Sequence, residues 1–84
     1  MIAAYEFINC EAGKAQIVVN ALRKLKGLRQ VHVVTGLHDI VAYVEAPTMK
    51  DLTNLIISKI QGTKGVARTL TCICLLYTSP SPRD

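Results

Sequence analysis

Eighty-four residues, half of them apolar and 19% charged, describe one globular domain and leave no length for a second. The formal charge of +4 and an isoelectric point near 9.2 come from scattered cations, not from the long basic runs of a nucleic-acid arm. Three cysteines are too few and too odd in number for a disulfide framework, and no apolar run approaches the roughly 20 residues of a membrane span.

In chain order, Ile2–Cys10 (IAAYEFINC) is rich in β-branched and aromatic residues and reads as a strand, broken by Glu11-Ala12-Gly13. From Lys14 to Lys26 the apolar residues Ile17, Val18, Ala21, Leu22 and Leu25 recur as one helical stripe. Gly27 stands where a left-handed residue closes a helix. The densest cationic group, Arg23, Lys24, Lys26 and Arg29, lies at this junction. There it complements the negative end of the helix dipole, with a phosphate-binding patch as the alternative. Leu28–Thr35 (LRQVHVVT) and Ile40–Glu45 (IVAYVE) are strands joined by the turn residues Gly36-Leu37-His38-Asp39, which makes a hairpin.

Ala46-Pro47 ends that hairpin, and Thr48-Met49-Lys50-Asp51 has the spacing of a capping box with Asp in place of Glu. The helix it opens carries Met49, Leu52, Leu55, Ile56 and Ile60 on one side and is expected to end at Gly62. Val66–Ile73 (VARTLTCI) is the fourth strand. Lys-Gly-aliphatic occurs at both helix-to-strand junctions, Lys26-Gly27-Leu28 and Lys64-Gly65-Val66, an internal echo of a doubled β-α-β unit. The expected fold is α+β, a ferredoxin-like βαββαβ with a four-stranded antiparallel sheet and both helices on one face.

The other face is also apolar: Val41 and Tyr43 oppose Ile40, Ala42 and Val44, while Tyr5 and Phe7 oppose Ala4 and Ile8. A face turned to water alternates apolar with polar. A chain this short buries only about 60% of its unfolded surface and has no spare element to cover that face. A second copy, sheet against sheet, is the economical cover.

The stretch Val33-Val34-Thr35-Gly36-Leu37-His38-Asp39-Ile40-Val41, followed by Val66-Ala67-Arg68-Thr69-Leu70-Thr71, resembles the effector domain of the Lrp/AsnC regulators over residues 2 to 73. The resemblance implies a ligand-binding domain that dimerises through its sheets. It also implies higher rings, and small effectors, usually amino acids, held near the hairpin between dimers. Full-length members of that family carry an N-terminal helix-turn-helix, and this sequence starts at the first strand, so it resembles the stand-alone version. Such a version senses and assembles, affects transcription or amino-acid metabolism through partners such as full-length regulators, and does not read DNA itself. A prokaryotic cytoplasmic location and no cofactor are the matching expectations.

On that reading, the candidate ligand-binding residues are Thr35, Gly36, Leu37, His38, Asp39, Thr69 and Thr71. Gly36 permits positive φ, so the hairpin can turn backbone N–H groups toward a ligand carboxylate, and Asp39 can accept from an ammonium. Each also has a plain role, since Gly and Asp are turn formers and Thr favours strands. Catalysis is not expected: His32, His38 and Asp39 form no nucleophile–base spacing, and Ser58 stands alone. Metal binding is not expected either, because there is no C-x-x-C, and Cys10 and Cys72 read as buried structural thiols.

Two other readings are weaker. A nucleic-acid-binding ferredoxin-like module would need more aromatics than Tyr5, Phe7 and Tyr43, and a small dimeric α+β-barrel enzyme would need a reactive pair. Finally, Cys74–Asp84, with Pro80 and Pro82, changes character abruptly. Back-translated it resembles a sequencing-adapter read-through, and it is read as a foreign, disordered tail outside the domain.

Overall fold

The computed structural model describes residues 1–74. Its strands are β1 (Ile2–Cys10), β2 (Leu28–Val33), β3 (Ile40–Ala46) and β4 (Val66–Ile73). Its helices are α1 (Ala15–Leu22) and α2 (Met49–Asn54), and α2 runs on into a π-helical stretch, Leu55–Ile60. All pairings are antiparallel in the order β2-β3-β1-β4, the ferredoxin-like topology expected from the doubled unit.

Strand alternation assigns the faces. Ala4, Ile8, Ile40, Ala42, Val44 and Ala46 form one core with Val18, Val19 and Leu22 of α1 and Leu52, Leu55, Ile56 and Ile60 of the second helical segment. Both helices therefore lie on one side of the sheet. Tyr5, Phe7, Val41, Tyr43, Leu70 and Cys72 occupy the opposite, open side, as the ladder partners Tyr5↔Tyr43, Phe7↔Val41, Phe7↔Leu70 and Tyr5↔Cys72 require. Tyr5 is 45% and Leu70 52% exposed. The rings of Tyr5 and Tyr43 stand 5.0 Å apart, a tilted aromatic pair across the ladder.

The repeated Lys-Gly-aliphatic junctions are two copies of one device. Gly27 and Gly65 have φ of +90° and +99°. A Cβ on Gly27 would meet the Glu45 carbonyl oxygen at 2.8 Å, and one on Gly65 would meet a Val18 methyl at 2.9 Å. Each glycine of one half thus presses against the other half. Their carbonyls accept from Glu45 N and Glu11 N, both at 2.8 Å. Two residues beyond each glycine the ladder gains an extra residue: Arg29 in β2 and Ala67 in β4. These are β-bulges, which sharpen the twist where each strand begins.

Several boundaries differ from the sequence expectation. α1 ends at Leu22, not near Lys26, and the chain continues in tighter turns, with Lys24 N donating to Ala21 O and Leu25 N to Leu22 O. Ile17 is 53% exposed. Consecutive residues Ile17, Val18 and Val19 are fanned about 100° apart on a helix, and the sheet takes Val18 and Val19. Met49 is likewise exposed at the first turn of α2. The π-helical stretch, marked by Gln61 N donating to Ile56 O at 2.9 Å, was not foreseen. Cys72 is exposed on the open face, not buried, because it sits opposite Tyr5 rather than under the helices. Cys74 still donates its N–H to Ala3 O, while residues 75–84 of the expected tail lie outside the described residues.

The N-cap half of the expected capping box forms: Thr48 has extended backbone and its Oγ1 accepts from Asp51 N at 3.1 Å. Thr48→Ala is expected to lower unfolding stability by about 1 kcal/mol, measured by urea denaturation, with Thr48→Ser close to the parent.

Candidate functional site

The hairpin connection, residues 34–39, is fastened to the end of β1 by side chains from both. Asp39 N donates to Ile8 O at 2.9 Å, and its carboxylate Oδ2 accepts from Cys10 N at 2.7 Å. Asn9 Nδ2 donates to Leu37 O at 2.8 Å. That fixes the amide orientation and leaves Asn9 Oδ1 as the acceptor for His38 Nδ1, 3.0 Å away. The His38 ring also lies 5.3 Å from the ring of Phe7. Gly36 has φ +128° and open space around it, so the bend needs glycine for its backbone and not for packing.

Asp39 thus spends one oxygen inside the fold. Its negative charge, second to burial, also raises the pKa of the Cys10 thiol. That disfavours the thiolate and makes Cys10 a poor nucleophile.

On the other side of β1, Ile8 and Asn9 pair with Thr69 and Arg68 of β4, while Ile8 also pairs with Ile40 of β3. The hairpin and Thr69 therefore share one end of the sheet, with β1 between them and a separation of about 10 Å, two strand spacings. Thr69 Oγ1 accepts from Gln61 Nε2 at 3.0 Å. Gln61, Val66, Ala67, Arg68 and Thr69 line a hollow of about 430 Å³, inside the range of small-molecule sites. Thr71 is not part of it. It lies two residues along β4 and lines a separate hollow of about 260 Å³ with Thr53, Ile57 and Gln61. Of the seven candidate residues, the fold gathers Thr35–Asp39 at the hairpin and sets Thr69 beside the larger hollow.

Asn9, Gln61 and Arg68 belong to this end of the sheet and were not singled out from the sequence. Nothing local marks Asn9 or Gln61: strand register brings Asn9 beside Arg68, and the turn from the end of the second helix into β4 brings Gln61 to Thr69. Arg68 shares the open-face side of β4 with Leu70 and also lines the hollow, so the hollow and the apolar face meet at this residue. Thr and Gln donors and a guanidinium can receive a carboxylate, and the hairpin's carbonyls and remaining acceptors can receive an ammonium.

A second unforeseen residue lies deeper. Glu6 is 0% exposed, and neither carboxylate oxygen has a hydrogen-bond partner of good geometry among the described residues. Its even position places it on the helix-facing side with Ala4 and Ile8. Burial pushes its pKa above the ordinary 4.5, opposed in part by the Thr71 hydroxyl across the ladder.

Against known proteins, the model of the Lrp/AsnC ligand binding domain matches residues 3–83. The chain belongs to the Lrp/AsnC family. A Pyrococcus abyssi protein described as an uncharacterized HTH-type transcriptional regulator is 33% identical over 72 residues, 86% of this chain and 46% of its own length. A solved structure from Thermus thermophilus is 29% identical with a TM-score of 0.86, covering 99% of this chain and 100% of that one. The Neisseria meningitidis regulator solved as a complex with L-Met shares the fold at 15% identity, with a TM-score of 0.80 over 93% of this chain and 52% of its own. This Lrp/AsnC domain spans less than half the length of the curated relatives it matches. None of its described helices is long and apolar enough to cross a membrane.

Proposed function

We propose that this domain is the sensing and assembly module of an Lrp/AsnC-type regulatory system. It binds a small effector, an amino acid, at the hairpin end of the sheet and pairs with a second copy through its open face. The observation that carries this reading is the meeting of the two features at one edge: Arg68 lines the polar hollow and stands in the same row as exposed Leu70. A copy docked on the sheet would border the hollow, so occupancy and assembly are linked by shared residues. Covering Tyr5, Phe7, Tyr43 and Leu70 supplies several kcal/mol at about 25 cal/mol per Å², a large part of a small domain's stability.

Arg68, Thr69 and Gln61 receive the effector carboxylate, and the hairpin residues Thr35–Asp39, with Thr71 further along β4, complete the candidate set. The L-Met complex of the Neisseria relative supports the amino-acid class. The Thermus relative of matching length supports a domain that works without an attached DNA reader. Action in the prokaryotic cytoplasm, on full-length regulators or other partners, follows from the same family reading.

Native mass spectrometry and thermal melts with a panel of the twenty amino acids test this. The expected result is a dimer or a multiple of dimers, with one or a few amino acids raising the melting temperature. Tyr43→Glu should yield monomer, and Arg68→Ala should abolish the ligand shift. A monomer at high micromolar concentration that ignores the whole panel would refute the proposal.

A further inference from the structure

The fold regroups the basic cluster seen in the sequence. Arg29 leaves it: as the bulge residue of β2 it pairs with Glu45, Nε to Oε1 at 2.9 Å. Lys59, thirty residues further along, joins it. Lys24, Lys26 and Lys59, with Leu25 and Leu55, line a hollow of about 320 Å³ between the turn after α1 and the π-helical stretch.

Local geometry holds these pieces together. The left-handed Gly27, whose absent Cβ would lie 3.0 Å from a Leu55 methyl, lets the turn after α1 lie directly on the second helix. The π-helical stretch keeps Leu55, Ile56 and Ile60 in the core and leaves Lys59 on its exposed side.

Among the described residues, no carboxylate neutralises the three ammonium groups. Glu45, whose N–H bonds to Gly27 O, is engaged at both oxygens: Oε1 by Arg29, and Oε2 by the Tyr43 hydroxyl at 3.4 Å. Arg29–Glu45 is the only ion pair among the described residues. Three like charges around one concave surface repel one another, and a multiply charged anion is the group that reverses that sign. Lysine acts on phosphate as a point charge and needs no fixed fork. Leu25 and Leu55 add an apolar element that phosphate alone would not use.

We propose that this hollow binds a small phosphate-rich ligand carrying an apolar or aromatic ring, the chemistry of a nucleoside polyphosphate. A duplex presents phosphates on the outside of a rod and brings no ring to Leu25 and Leu55, so a free ligand fits the hollow better. The site lies at the start of β2, the far end of that strand from the effector hairpin, and does not depend on the amino-acid reading.

Isothermal titration with ATP as the probe tests it, with adenosine and a short DNA duplex as comparators. The variants are Lys24→Ala/Lys26→Ala/Lys59→Ala and a charge-matched control, Lys14→Ala/Lys50→Ala/Lys64→Ala. Thermal melts verify folding, and Lys59→Met alone serves if the first triple is unstable. ATP should bind the parent and weaken with added salt. Its affinity should fall by about tenfold or more in the first triple and stay within about twofold in the control. Adenosine should not bind. Absence of ATP binding, equal losses in both triples, or tighter binding of the duplex than of ATP overturns the proposal.

Discussion

Glu6→Met will make the domain more stable at neutral pH, by about 2 kcal/mol, the cost of burying a carboxylate whose oxygens have no hydrogen bond of good geometry and only the Thr71 hydroxyl nearby. Methionine matches the length of glutamate, so the change fills the same space without forcing a new rotamer. The expected rise in melting temperature is about 8 to 16 °C for a chain of this size, compared at equal protein concentration because assembly contributes to the melt. The pH dependence separates charge from shape. With its folded pKa raised by burial, Glu6 holds a proton in the folded state that the unfolded chain releases near its ordinary 4.5. Its favourable contribution is therefore complete below about pH 4.5 and is lost as pH climbs through the folded value. Denaturant titrations from pH 4 to 8 should show parent stability falling along this range relative to Glu6→Gln, which cannot ionise. A constant difference between parent and Glu6→Gln across that range would show that the carboxyl is not the titrating group.

Gly65→Ala will destabilise by about 3 kcal/mol, the sum of a backbone cost and a collision. Placing a Cβ at φ +99° costs about 1 kcal/mol or more. Contacts of 2.9 Å to Val18 and 3.1 Å to Lys14 add an overpacking cost of about 1 to 3 kcal/mol. Gly36→Ala is the control, since φ is also positive there but nothing lies within 4 Å. It should show the backbone cost alone. Chemical denaturation of the two variants separates strain from collision; equal losses would mean that the junction is not close-packed.

The order of elements and the identity of the core were legible because alternation in β1 and β3 and the stripe of the second helix each point one way. β4 was legible to the residue, since Gly65 opens it and the stretch read as a foreign tail begins at Cys74. α1 was overextended because Leu25 continues the helical period, although the chain has already tightened into turns. The hairpin was visible as a candidate because its Gly and Asp sit in a compact motif. Asn9 and Arg68 are brought together by strand register across β1, and Gln61 reaches Thr69 from the end of the second helix, placements that no local pattern encodes. Glu6 was legible in principle, since it shares its parity with Ala4 and Ile8, but a lone glutamate between two aromatics reads as a surface residue until the helix-covered side is known. Lys59 joined Lys24 and Lys26 only through the close approach at Gly27.

The manner in which the hairpin is pinned has a consequence for association. Leu37 at its tip is 89% exposed, yet its carbonyl is gripped by Asn9, and its neighbours His38 and Asp39 are tied to β1. An oily knob on a slack loop surrenders conformational entropy when it is captured. This one has surrendered most of it already, during folding. A surface that receives Leu37 gains its desolvation at little ordering cost, and cutting the Asn9 tether would weaken that contact without touching the leucine.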